Sequence, residues 1–103
     1  MSDPSFNEFL HVPARLSIVA LLAPAQWMEF RVLRDALDVS DSSLSKQVSA
    51  LQEAAYVEVR KERISSGRST RVRLTPLGRQ AFAEHAAALQ RIVDAAGRVP
   101  VQE

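Results

Sequence analysis

Between residues 40 and 57 the chain runs SDSSLSKQVSALQEAAYV, a stretch whose polar members are mostly short hydroxyls with one cation. Leu44, Val48 and Leu51 recur at i, i+4 and i+7, which defines one apolar stripe on a helix. Ser42, Lys46, Ser49 and Glu53 fall opposite the stripe, with Ser43 and Ser45 on its flanks. A face made of serines and one lysine can approach a polyanionic backbone closely. Ser42, Ser43, Ser45, Lys46, Gln47 and Ser49 can also donate to or accept from groups on base edges. An ordinary solvated helix face has the same composition, so the flanking sequence decides between the two.

A second group of residues follows directly. Residues 56–79 carry seven basic and two acidic side chains, whereas the chain as a whole has a net charge of only +1. Lys61, Arg63, Arg68, Arg71 and Arg73 make up most of that block. A localised basic patch is the electrostatic footprint of a phosphate-binding surface.

Other chemistries find little support. There is no cysteine, hence no disulfide and no thiolate metal site, and the only histidines are His11 and His85. No metal and no cofactor is expected. Neither a glycine-rich phosphate loop nor a motif placing a Ser-His-acid set is present, so the chain is not expected to be an enzyme. Asp3 and Glu8 stand where a signal peptide would need cations, and no apolar run is long enough to span a bilayer. A cytoplasmic protein without membrane contact is expected.

The elements that must position these residues follow in order. At 103 residues there is room for one small domain, marginal enough to lean on a partner subunit. Residues 3–11 suggest a short helix capped by Asp3, with Phe6, Phe9 and Leu10 on a sticky face. Pro13 opens a second helix, 13–23, which is apolar nearly all round and ends before Pro24. Trp27 and Met28 can form a short β-bridge. Phe30, Leu33 and Leu37 mark a helix over 30–38. A tight turn then leads to Ser40 or Asp41 as N-cap of the serine-bearing helix, 41–54. Two helices joined this closely form a helix-turn-helix, whose second helix enters the major groove with its N-terminal end leading.

Residues 56–64 and 69–75 alternate as two strands around the turn SSGRS, with Val57 and Val59 on one face and Arg71 and Arg73 opposite Val72 and Leu74. Two such strands are unstable alone and must pack on the helices. Their basic tip then projects beside the recognition helix as a wing. Thr75 and Pro76 start a last helix ending at Gly97. Along it Phe82, Ala86, Leu89, Val93 and Ala96 step by four and three, with Ile92 beside them, as a coiled-coil-like seam. A dimerisation helix meeting segment 3–11 is the economical reading, and packing back onto its own subunit is the alternative. The expected architecture is mainly α with a small β-hairpin. It is a single winged helix-turn-helix domain over 1–97, with N- and C-terminal dimerisation helices and a disordered tail, 98–103.

In this order of elements the chain resembles small bacterial winged-helix transcriptional regulators of the MarR/ArsR-like type, in a minimal form without a separate ligand domain. The resemblance rests on RLSIVALL (15–22), LSKQVSALQEAAYVEV (44–59) and RVRLTPLGR (71–79). Leu-Thr-Pro-x-Gly after a wing is its more specific part. It implies a dimeric DNA-binding repressor or activator, with DNA contacts on Ser42, Ser43, Ser45, Lys46 and the wing arginines. One departure stands out. Relatives usually have glycine where this chain has Ala55; if that backbone is left-handed, alanine costs roughly 1 kcal/mol.

The leading expectation is sequence-specific binding of double-stranded DNA by a homodimer, with helix 41–54 in the major groove and wing 60–73 on the backbone or minor groove. The alternative is a protein-interaction winged helix whose basic wing grips an acidic partner. A small-molecule effector, the operator and the sign of regulation are not specified by the sequence.

Overall fold

Proline at the first helical position, which needs no N–H partner there, starts two of the four helices of the computed structural model, which describes residues 3–100. The order is α1 (Pro13–Leu22), β1 (Met28–Glu29), α2 (Phe30–Leu37), α3 (Asp41–Glu53), β2 (Val57–Ile64), β3 (Gly67–Leu74) and α4 (Pro76–Ala96). The strands form one antiparallel sheet ordered β1-β3-β2, with Met28 opposite Val72 and Val57 opposite Leu74. The β-bridge expected at Trp27 and Met28 thus appears as β1, one residue further on.

One core joins all layers. Ile18, Val19 and Leu22 from α1 meet Leu33 of α2, Leu44, Val48 and Leu51 of α3, and Val57, Val72 and Leu74 of the sheet. The stripe read from residues 44, 48 and 51 is therefore the buried face of α3. Helix α1 is buried along one side only; Ala14, Ser17 and Ala20 face outward.

The chain bends between α2 and α3 at Asp38, whose φ of 54° is left-handed. A short polar side chain makes that conformation tolerable. Ser40 then caps α3 by accepting the Ser43 N–H at 3.1 Å.

The wing differs from expectation at its tip. The strands run on to Ile64 and Gly67, so the turn is only Ser65–Ser66, and Arg68 lies in the ladder opposite Arg63. Gly67, at φ 130°, occupies a backbone region closed to other residues, which lets the hairpin reverse in so few residues.

The expected helix over 3–11 does not form. Asp3 and Asn7 spend their bonding groups on turns instead: Asp3 Oδ1 accepts from Ser5 N–H, and Asn7 Oδ1 from Leu10 N–H. Such local side-chain bonds compete with helix formation. The segment crosses its own subunit, burying Leu10 completely and packing Phe9 against the core. Arg98 and Val99 continue from α4 through hydrogen bonds to Ala95 O and Ala96 O, and the last part of the tail expected to be disordered, 101–103, lies outside the described residues.

Candidate nucleic-acid interface

The outward face of α3 carries Ser42, Ser45, Lys46 and Ser49, all exposed. Ser43 is exposed too, but with Gln47 it lines an open groove against Pro13, Ala14 and Ser17 of α1. Gln47 is half-buried, and its Oε1 accepts from Arg15 Nε at 3.0 Å. Its amide N–H groups remain available to a base. Arg15 also donates to the Phe9 carbonyl and lies over the Phe9 ring at 4.3 Å. It thereby ties the N-terminal segment to α3. The sequence carried no signal for this link, because the partners stand 32 positions apart.

Asp41, at the first turn of α3, would repel a phosphate. Arg34 of α2 compensates it, donating at 2.9 Å, and also reaches Asp35. The Asp41 bond, then the Asp35 bond, hold the Arg34 guanidinium pKa above its ordinary value. Asp41 is also stabilised by the positive end of the helix.

Strand parity divides the wing cations into two groups. On the outer face Arg73 donates twice to Glu58, and Arg71 pairs with Glu62. Arg60 and Arg73 each place a guanidinium 4.7 Å from the Trp27 ring centre. Trp27 is thus stacked against arginines, not lining an open pocket. Lys61, Arg63 and Arg68 lie on the opposite face, continuing the row of Val57 and Val59 beyond the edge of the core. All three are exposed and have no ion-pair partner among the described residues. Of the five wing cations singled out in the sequence, these three keep their charge free for a ligand.

A lock joins the end of α3 to the start of α4. Ala55 is left-handed, φ 64°. Its N–H bonds Gln52 O, and the Tyr56 N–H bonds Leu51 O, both at 2.9 Å, the paired ending usually closed by glycine. Thr75 Oγ1 donates to Ala55 O at 2.6 Å and accepts the Gly78 N–H at 3.0 Å. A Cβ on Gly78 would sit 2.0 Å from the Tyr56 carbonyl oxygen. Leu-Thr-Pro-x-Gly is therefore a joint: a cap, a helix start and a residue small enough for the helix to touch the chain leaving α3.

The expected dimer seam is divided. Leu10 is fully enclosed in its own subunit, which removes it from any partner surface. Phe9 and Phe82 pack against the same core, and Phe6 stacks on His11 and His85. Leu89 is half-buried, while Ala86, Ile92, Val93 and Ala96 are exposed. Ile92 and Val93, 47% and 63% exposed, form an apolar patch on the far half of α4. The inner face of that helix is instead closed by Gly78, His85 and Ala88. His11 and His85 meet within one chain, and no group of three or more potential metal ligands occurs among the described residues.

A helix-turn-helix followed by a two-stranded wing, with a short strand ahead of the helices pairing with the wing, defines a winged helix. The chain belongs to the winged helix DNA-binding domain family, whose model matches residues 14–93. It is 34% identical over 68 residues to an uncharacterized protein of Methanocaldococcus jannaschii, covering 66% of this chain and 74% of that one. A transcriptional regulator homologue from Pyrococcus horikoshii OT3 superposes with a TM-score of 0.82 at 23% identity, covering 87% of this chain and 89% of that one. The transcriptional regulator PcaV from Streptomyces coelicolor, solved with its natural ligand, gives 0.70 at 18% identity, covering 88% of this chain and 63% of that one. The resemblance to winged-helix regulators therefore holds at the level of fold, and the family is one of winged helix DNA-binding domains. Among the described residues no helix is long and apolar enough to cross a membrane.

Proposed function

We propose that the protein is a sequence-specific, double-stranded DNA-binding transcriptional regulator acting in the cytoplasm as a homodimeric repressor. The observation that carries this reading is the unpaired state of Lys61, Arg63 and Arg68 while their neighbours Arg71 and Arg73 are neutralised. Three exposed cations on one face of the wing tip, with no carboxylate paired to them among the described residues, present a positive patch suited to a polyanion.

In this reading α3 lies in the major groove and presents Ser42, Ser45, Lys46 and Ser49 to base edges, with Ser43 and the Gln47 amide at its flank. The wing tip holds phosphates or enters the adjacent minor groove. The exposed patch of Ile92 and Val93, with Leu89 and Ala96, pairs two copies. The dimer then offers two recognition helices roughly 34 Å apart to a pseudo-palindromic site, and occupancy blocks polymerase. No effector is required by the reading.

The test is a gel shift on duplex fragments of the protein's own promoter, over a salt series and against excess random DNA. A discrete complex that survives competitor and weakens steeply with salt is expected. Lys46→Ala should weaken the best site by about 1–3 kcal/mol and relax sequence preference there. Equal loss on every sequence removes Lys46 from base readout. Absence of any complex at low salt rejects the DNA reading in favour of an acidic protein partner.

A further inference from the structure

The N-terminal segment is strapped across α4 by a chain of three hydrogen-bonding groups. The Asn7 N–H donates to His85 Nδ1 at 2.9 Å, and His85 Nε2 lies 3.3 Å from His11 Nδ1. Because Nδ1 of His85 accepts, its proton must sit on Nε2, which makes His11 Nδ1 the next acceptor. The proton of His11 is then on Nε2. Both unprotonated nitrogens of the pair are already occupied as acceptors. Closed, the pair has no place for a further proton: one added to either Nδ1 meets an N–H head on.

We propose that His11 and His85 form a proton-operated latch, in which uptake of one proton breaks the Asn7–His85–His11 chain and releases residues 7–11 of the N-terminal strap from His85 of α4. His85 is completely enclosed, and the Phe6 ring packs at a tilt against His11 and edge-on against His85, each with centroids 4.8 Å apart. Asn7 extends the effect beyond the strap, since its Nδ2 donates to the Tyr56 hydroxyl at 3.0 Å, immediately after the end of α3. Burial, and then the neighbouring His11, hold the His85 pKa below the ordinary 6.5, as a latch closed at neutral pH requires.

The surrounding charges do not supply another switch. Asp3 of the strap is gripped by Arg91 of α4 through two bonds, at 2.6 and 3.0 Å. Those bonds, then the Ser5 N–H, hold the Asp3 carboxyl below its ordinary 3.8, so it stays ionised while the latch takes up its proton. Arg15 of α1 is committed to Phe9 and Gln47. Glu8 on the strap and Glu84 on α4 are exposed, and among the described residues neither bonds an imidazole. The Tyr56 hydroxyl faces Asn7.

The sign follows from the lowered pKa. The unfolded chain binds a proton more readily than buried His85. The contribution of the closed latch is therefore complete above about 6.5, and it falls away as pH drops from there through the lower folded value.

The experiment is NMR on the wild-type chain from pH 8 to 5, reading both imidazole nitrogens and amide protection factors. At pH 8 both rings should be Nε2–H tautomers. On acidification Asn7 should lose at least tenfold protection in one step with the imidazoles, while Val48 and Leu51 stay protected. The double variant His11→Gln/His85→Gln, in which no imidazole of the pair remains to titrate, should keep a strap indifferent to pH; if that variant does not fold, the wild-type titration decides. The latch is overturned if Asn7 stays protected at pH 5, if the imidazoles titrate while the strap does not move, or if Asn7 opens only with the whole domain.

Discussion

The base and the tip of the wing are built from the same two strands but answer to different constraints. At the base, Val57 faces Leu74 inside the core, and Tyr56 is pressed against Gly78. At the tip, Arg63 faces Arg68 with no carboxylate between them. Two like charges directly opposite are unfavourable in an isolated hairpin. Their persistence where nothing is buried, beside a base where every contact is used, separates the part that holds the fold from the part available to a ligand. The outer face shows the contrast again: Arg71 opposes Arg60, but Glu62 and Glu58 supply the missing negative charge.

If base and tip are separate in this way, their variants should fail separately. Gly78→Ala attacks the base and is expected to have the largest effect. Its Cβ overlaps a backbone carbonyl that cannot rotate away, so urea unfolding should show a loss of about 3 kcal/mol. An unchanged urea midpoint would mean that α4 can shift off Tyr56 freely.

Arg68→Ala attacks the tip. It should lower affinity for random duplex DNA roughly tenfold at low salt and reduce the salt slope by about 1, leaving the melting temperature in place. Arg71→Ala, measured beside it, should do the reverse: little change in salt slope and a stability loss of about half a kcal/mol from an exposed pair. Equal salt slopes for the two variants would erase the distinction between the faces.

Ala55→Gly is the only favourable change. It relieves a left-handed alanine at the base and should raise stability by about 1 kcal/mol, read as a higher melting temperature, with DNA affinity unaltered. A lower melting temperature would show that alanine's restriction of the unfolded chain outweighs its strain in the folded one.

The parts of the molecule legible in the sequence are those governed by short-range periodicity. Residues 44, 48 and 51 announced the buried face of α3, and the alternation through Val72 and Leu74 announced the sheet parity. Thr75, Pro76 and Gly97 bounded α4 within a residue. The left-handed Ala55 was anticipated through the family resemblance, in which glycine usually stands at that place. What escaped were contacts set by the path of the chain. The strap's bonds to α4 span 78 and 88 positions, and no local pattern encodes them. Segment 3–11 is too short for its apolar spacing to tell a helix from a series of turns, and its aromatics were assigned to a partner that its own subunit partly replaces. The neutralisation of Arg71 and Arg73 needed the register, since glutamates sit just as near in sequence to Arg63 as to the strand that is paired.

The contact between Gly78 and Tyr56 also gives α4 a mechanical character. A helix of 21 residues is about 31 Å long. It is bolted at one end to the chain leaving the recognition helix and bears its apolar patch near the other. It is a lever with a stiff fulcrum: a tilt of 10° at the joint carries the far end through about 5 Å. In the proposed dimer, with two copies joined at their far ends, the angle at this glycine in each copy would set the separation of the recognition helices, and an event that loosens Tyr56 would change that span.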